Sequence, residues 1–318
     1  MTEADRPTAA RVAEGTAACR VDLAGGAPGA VSVTVAIDRR PWCRVETGVA
    51  GVRIESKDTL RKVGGEDVFE ALRKGAPAIV ARVLQAMGVK TGVWVVTQCR
   101  VPEGSGLGES SALAAAVAGA LARVQGSGLD KDRIARIASE ADAPGGEAGA
   151  GLRESHTAVR GGVLALHPEA AGLRVESLAI DPARVEESLL LVDAGPSRSP
   201  GAGHGALSAI ASMASRVRDA LLAGRFEEVI GLWAEEWELR RSAVGGWPAP
   251  EAERIAGVVR AAGGAARVCA AGRGGILALW APPGARGPGR REAVAAAAKA
   301  AGLRLFPARV DLRGLDVE

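Results

Sequence analysis

Residues 102–113 read PEGSGLGESSAL and run straight into AAAVAGALARV (114–124). Three glycines alternate with Ser105 and Leu107, and then the pattern switches at once to residues that suit a helix start. A glycine turn feeding a helix offers amides with no helical partner at the positive end of the helix dipole, which is a ready anion site. Small residues let a phosphate come close to the backbone. The stretch is not a Walker A loop, which closes on Gly-Lys-Ser/Thr, and glycines at 104, 106 and 108 do not fit G-x-G-x-x-G. The same residues also suit a flexible turn ahead of a buried helix, so spacing alone leaves both readings open.

Working outward, GVWVVTQC (92–99) is expected as a strand leading into the turn, and the helix after it should run to about Val124. A second helix is expected over 131–141, with Ile134, Ile137, Ala138 and Ala141 on one face. Upstream, 16–24 and 31–37 read as strands, and 42–47 with 51–56 as a hairpin. A helix within 66–88 should break near Gly75 and Pro77. Downstream, 142–154 reads as a loop, with strands at 159–167 and 173–179. The second half begins with a strand at 188–193 and the loop AGPSRSPGAGHG (194–205). Helices follow at 205–222, 226–243 and 250–262, then strand, glycine turn and strand over 266–280, a helix at 291–302 and a strand at 303–311. Without the middle helices this is β-α-β-β-α-β, a ferredoxin-like order. The expected class is α+β in two domains, 1–175 and 176–318, with the boundary near 170–187, where the strand pattern yields to DPARVEES.

The chain of 318 residues is long enough for two domains with ample core. Its 40 Lys and Arg against 37 Asp and Glu leave a net charge of +3. No Arg/Lys stripe interleaved with aromatics appears, so no nucleic-acid partner is expected. Cys19, Cys43, Cys99 and Cys269 lie far apart with no Cys-x-x-Cys pair, which points to reduced thiols and a cytoplasmic location. The start lacks an apolar signal core and no run of about 18 apolar residues occurs, so no membrane partner is expected either. The oligomeric state stays open.

PEGSGLGESSAL resembles the phosphate loop of the GHMP kinases, P-x-x-x-G-L-G-S-S, the superfamily of galactokinase, homoserine kinase and mevalonate kinase. Four further stretches resemble family segments in the family's order. CRVDLAGG (19–26) is similar to R-I-x-F-A-G-G of the heptose-phosphate and fucose kinase branches. GLRESHTAVRGG (151–162) is similar to the heptose 7-phosphate kinases' G-x-Q-D-Q-Y-x-x-x-x-G-G. LLLVDAGPSRS (189–199) and CAAGRGGILAL (269–279) resemble their L-L-x-x-T-G-x-S-R-S and their glycine turn near the C-terminus. The resemblance covers nearly the whole chain. It implies a ribosomal-S5-like N-terminal domain that binds nucleotide, a ferredoxin-like C-terminal domain, and an ATP- and Mg²⁺-dependent kinase acting on a hydroxyl of a sugar, sugar phosphate or related polyol.

The resemblance also assigns roles. Pro102, Gly104, Ser105, Gly106, Leu107, Gly108, Glu109, Ser110 and Ser111 would cradle the nucleotide phosphates, with Ser110 and Glu140 meeting Mg²⁺. Asp142 or Glu147 could replace Glu140, because the spacing from 140 to 154 exceeds the family's. Glu154 stands where the family has its catalytic Asp, and Arg20 would stand beside it. Gly25, Gly26, Arg198, Gly272, Arg273 and Gly274 would meet the substrate. His156 is expected to line the cleft or pack there. Glu109, Glu154, Arg273 and the Ala27-Pro28-Gly29 run depart from the family pattern. These departures leave two alternatives: a nucleotide-binding protein with altered or lost catalysis, or the same fold with another reaction. The nucleotide reading requires position 154 at the crevice and a 104–110 bend not filled by its own side chains.

Overall fold

A six-stranded sheet forms one side of the N-terminal half in the computed structural model, which describes residues 10–25, 29–101, 104–143, 151–170, 172–195, 207–243, 247–269, 275–284 and 289–318. Its strands are β1 (Val12–Thr16), β4 (Trp42–Thr47), β5 (Val52–Ser56), β6 (Arg61–Gly65), β7 (Val93–Gln98) and β14 (Asp316–Val317), in the order β14-β1-β4-β7-β5-β6. Alternation decides which face is buried. Cys43, Val45, Val52, Ile54, Val93 and Val95 point inward, while Arg44, Glu46, Arg53 and Glu55 face out. β4 and β5 do not form the expected hairpin. β7 lies between them, antiparallel to β4 and parallel to β5, and β5 pairs with β6 instead. Strand alternation sets which side chains go inside but not which strand is the neighbour.

The inward face packs on α3 (Glu109–Gln125), which is buried almost all round. Its Ala residues let backbones approach: a Cβ on Gly15 of β1 would lie 2.5 Å from the Ala116 carbonyl oxygen. Around α3 lie α4 (Lys131–Asp142) and α5 (Leu152–Arg160), with α1 (Val68–Arg73) and α2 (Ala78–Ala86) beyond. The break between α1 and α2 falls at Gly75 and Pro77 as expected. A four-stranded sheet, β2 (Cys19–Ala24), β3 (Ser32–Ile37), β8 (Val163–Glu169) and β9 (Gly172–Ser177), covers α5 from the other side. Residues 152–160, expected as loop up to 154 and strand from 159, are helical. LRESHTAVR places Ser155, Ala158 and Val159 on a buried side, and Gly161 ends the helix.

After α6 (Pro182–Ser188) come β10 (Leu189–Asp193), α7 (Leu207–Leu222), α8 (Glu228–Ala243), α9 (Pro250–Ala261), β11 (Ala265–Val268), β12 (Ile276–Trp280), α10 (Gly289–Ala300) and β13 (Leu305–Pro307). The four strands form one antiparallel sheet in the order β11-β12-β10-β13, the ferredoxin-like arrangement expected from the element order. Leu190, Val192, Leu277 and Leu279 pack with Ile255, Val259 and Val294 into a core of their own. The main core spans the rest, and Trp233 of α8 joins the halves: its ring lies 5.6 Å from that of Trp280, and its Nε1 donates to the Leu23 carbonyl at 2.8 Å. The chain then returns to the first sheet, where β14 pairs with β1. None of the four cysteines is in a disulfide, and burial pushes the Cys43 and Cys269 thiols up to about 12. No helix among the described residues is long and apolar enough to cross a membrane.

Candidate active site

Every residue of β2 is buried, yet the strand carries Arg20 and Asp22. Two charges in a buried strand need partners, because desolvation otherwise forces them neutral. Arg20 Nη1 lies 3.0 Å from Asp22 Oδ1 and Nη2 lies 2.5 Å from Glu154 Oε1, on the first turn of α5. The register of β2 against β3 shifts between Asp22 and Ala24, so the strand bends where these side chains emerge. Burial by itself would raise the Glu154 pKa; the Arg20 guanidinium, helped by Arg153, outweighs it and holds the carboxyl well below the usual range. Glu154 Oε2 has no hydrogen-bond partner among the described residues.

The glycine loop lies directly on this pair. The Arg20 amide donates to the Leu107 carbonyl at 2.8 Å. Gly108 caps α3 in the left-handed region, φ +71°, and a Cβ there would stand 3.3 Å from Arg20 Cγ and 3.6 Å from Glu154 Cγ. Glycine therefore suits the left-handed backbone here and leaves room for the close approach of the Arg20 side chain. The amides of Glu109, Ser110 and Ser111 have no acceptor among the described residues, and no side chain caps the helix. The bend is partly filled, however. Glu109 folds back so that Oε1 accepts from the Gly104 amide and Oε2 from the Ser105 hydroxyl, both at 3.0 Å. From the other half, the Ile276 amide donates to the Ser105 carbonyl at 3.0 Å, and the Ala194 amide to Gly275 at 2.9 Å. The segments that begin at 19, 102, 151, 189 and 269 thus converge.

The carboxylate that meets the start of α3 is Asp142, not Glu140. Ser111 Oγ donates to Asp142 Oδ2 at 2.5 Å, whereas Glu140 is exposed on α4 and Ser110 is exposed on the first turn of α3. Burial and the nearby Glu154 raise the Asp142 pKa, although Ser111 opposes them. Helical spacing puts residues 140 and 142 about 200° apart, so only one can face α3. His156 is buried on another side of α5, with Nδ1 3.6 Å from Asp132, and burial lowers its pKa. Among the described residues no group of three His, Cys, Asp or Glu is placed to hold a metal ion unaided. Gly26, Pro102, Glu147, Arg198, Gly272, Arg273 and Gly274 lie outside the described residues.

Gly25 is held from across the fold. Its carbonyl accepts from Arg240 Nη2 at 2.9 Å and Arg267 Nη2 at 2.6 Å, while buried Glu236 bridges both guanidinium groups. None of these three was singled out in the sequence, because nothing local marks partners that lie more than 200 residues from Gly25. Asp22 was also missed, although a second charge two residues from Arg20 in an apolar strand is a legible signal.

Residues 45–153 match the family model of the GHMP kinases N terminal domain. No curated protein sequence matches the chain. A solved D-glycero-D-manno-heptose 1-phosphate kinase from Bacteriodes thetaiotaomicron is 18% identical, with 96% of this chain and 98% of that one covered, at a TM-score of 0.77. Lactococcus lactis galactokinase complexed with galactose is 13% identical over 96% and 95%, with a TM-score of 0.75. Streptococcus pneumoniae phosphomevalonate kinase, in complex with phosphomevalonate and AMPPNP, is 12% identical over 96% and 100%, with a TM-score of 0.76. The chain therefore contains a GHMP kinase N-terminal domain, and across nearly its whole length it has the GHMP kinase fold.

Proposed function

We propose that the protein is an ATP- and Mg²⁺-dependent kinase that phosphorylates a hydroxyl of a sugar, sugar phosphate or related polyol, with residues 1–175 as its nucleotide-binding domain and 176–318 as the ferredoxin-like one. One observation carries it: the Arg20–Glu154 pair abuts Gly108 at a helix start whose amides have no partner among the described residues. The residues fit both groups. For a triphosphate, the fit is the amides of Glu109–Ser111 together with the buried Arg20 Nε, none of which has a partner among the described residues. For Mg²⁺, which takes one or two carboxylates along with phosphate oxygens, it is the desolvated Asp142 with the Ser110 and Ser111 hydroxyls. ATP supplies the transferable phosphoryl group, and the cation neutralises its charge.

In this reading Glu154 orients the acceptor hydroxyl and takes its proton. A carboxylate held at low pKa is a weak base, so it acts by position first and accepts the proton late, as the new O–P bond forms. Arg20 keeps Glu154 ionised and turned toward the loop, and its Nε faces the side where the transferring group would pass. Arg240 and Arg267 fix Gly25, and with it the start of the acceptor-side turn. The sugar-type acceptor rests on the resemblance of the 19–26 and 151–162 segments to heptose-phosphate kinases and on the fold shared with a heptose 1-phosphate kinase and a galactokinase. A coupled ADP-release screen over sugars and sugar phosphates should give turnover with at least one acceptor. The Glu109 carboxylate in the loop favours a second reading, a nucleotide-binding protein without phosphoryl transfer, which Mg-AMPPNP binding with no turnover across the panel would select.

A further inference from the structure

Glu109 occupies part of the loop that a phosphate would need. Its Oε1 takes the Gly104 amide and its Oε2 the Ser105 hydroxyl; Ser105 Oγ in turn accepts from the Leu107 amide at 3.3 Å. The carboxylate is thus tied into the loop through a short polar chain. The other end of the loop stays open. The amides of residues 109–111 have no acceptor among the described residues, and Arg20 Nε, on a side chain only 8% exposed, is unpartnered beside Gly108. The loop therefore has a filled half at 104–105 and an open half at 108–111.

We infer that Glu109 is an internal anion of this loop, a specificity-determining residue that competes with incoming anions for Gly104 and Ser105 and so favours a metal-bearing polyphosphate over small or metal-free anions. The inference rests on the nucleotide reading above. A lone phosphate reaches only the open half and stays beside a fixed carboxylate, whose repulsion offsets the amides it gains. A chain of phosphates long enough to span both halves displaces the carboxylate from Gly104 and Ser105. The displaced carboxylate then stands close to the polyanion, which a bound divalent cation offsets. Hence the cation requirement for binding should be steeper in the natural chain than in one lacking this charge.

Calorimetric titration of the full chain with AMPPNP, inorganic tripolyphosphate and inorganic phosphate, each with and without Mg²⁺, tests this in the natural protein, Glu109→Ser and Glu109→Gln. Both variants should bind AMPPNP and tripolyphosphate roughly tenfold more tightly, the size of one or two hydrogen bonds to a charged group. The gain should be largest without Mg²⁺, and inorganic phosphate should bind measurably only to the variants. Unliganded Glu109→Ser should melt lower, since Gly104 and Ser105 lose a partner, while the ligand-induced rise in Tm grows in both variants. Glu109→Gln keeps length and hydrogen bonding should Glu109→Ser fail to fold. Unchanged or weaker AMPPNP affinity in a folded variant overturns the inference and leaves the nucleotide reading standing. No uptake of any of the three by natural chain or variants removes both, whereas uptake by the variants alone supports both.

Discussion

α3 and α4 are neighbours that begin in opposite ways. α4 opens on Asp130, whose Oδ1 accepts from the Arg133 amide at 2.8 Å, and α1 opens likewise on Asp67, bonded to the Glu70 amide at 2.7 Å. α3 opens on Gly108, φ +71°, and α5 on Gly151, φ +79°, neither with a side-chain cap. An Asp cap contributes about 1 kcal/mol, and a glycine in its place forgoes part of that. These two starts lie at the Arg20–Glu154 pair, and their first turns carry Glu109 and Glu154. α2, which opens on Pro77, and α9, which opens on Ala249, also start without a side-chain cap, so what sets α3 and α5 apart is the left-handed glycine at each start.

The largest expected effect comes from the acidic group that the crevice cannot replace. Glu154→Ala should lower turnover by about 10²–10⁴-fold in the ADP-release assay, with Glu154→Asp in between; an unchanged kcat would put the chemistry elsewhere. The pH dependence follows from the same group. Its pKa falls from 4.5 to about 2 in the fold. Turnover should therefore show no loss through Glu154 between pH 7 and 5. Its contribution to stability should be full above the unfolded value and disappear as pH falls toward the folded one, read from urea midpoints across that window. Next comes Gly108→Ala, which forces a Cβ into a left-handed residue beside Arg20 at a cost of roughly 1–2 kcal/mol and should weaken AMPPNP binding about tenfold. Gly126→Ala at the other end of α3, also left-handed but with open space around it, should lower Tm and leave binding alone. The smallest effect is expected from Asp130→Ala, about 1 kcal/mol of stability with no change in binding; a binding change there would erase the contrast between the two kinds of helix start.

Local chemistry was legible where it repeats or turns. The glycine turn and the helix after it, the break at Gly75 and Pro77, and the order of elements in the second half all follow from patterns within a few residues. The insertion of β7 between β4 and β5 did not, because pairing partners are chosen by tertiary packing. α5 was hidden by its own composition: the Gly-rich stretch before it reads as loop, and only its burial against α3 and β2 explains why nine residues stay helical. In the site, the Arg20–Glu154 pair was anticipated from motif resemblance, since 134 residues separate the two. Resemblance favoured Glu140 with Asp142 and Glu147 as alternatives, and spacing alone does not fix which face of α4 meets α3; the fold turns Asp142 to Ser111. The fold-back of Glu109 was foreseen only as a conflict of charge, not as a bond to Gly104.

β14 adds a consequence for biosynthesis. Leu315 lies so close to α3 that a Cβ on Gly119 would stand 2.9 Å from its Cδ1, and the next residues complete the sheet beside β1. While a ribosome is still making the second half, α3 lacks this wedge and β1 has an open edge. The half that appears first is thus completed after the half that appears second, and a nascent chain must keep that edge from sticking to its neighbours until residues 315–317 arrive.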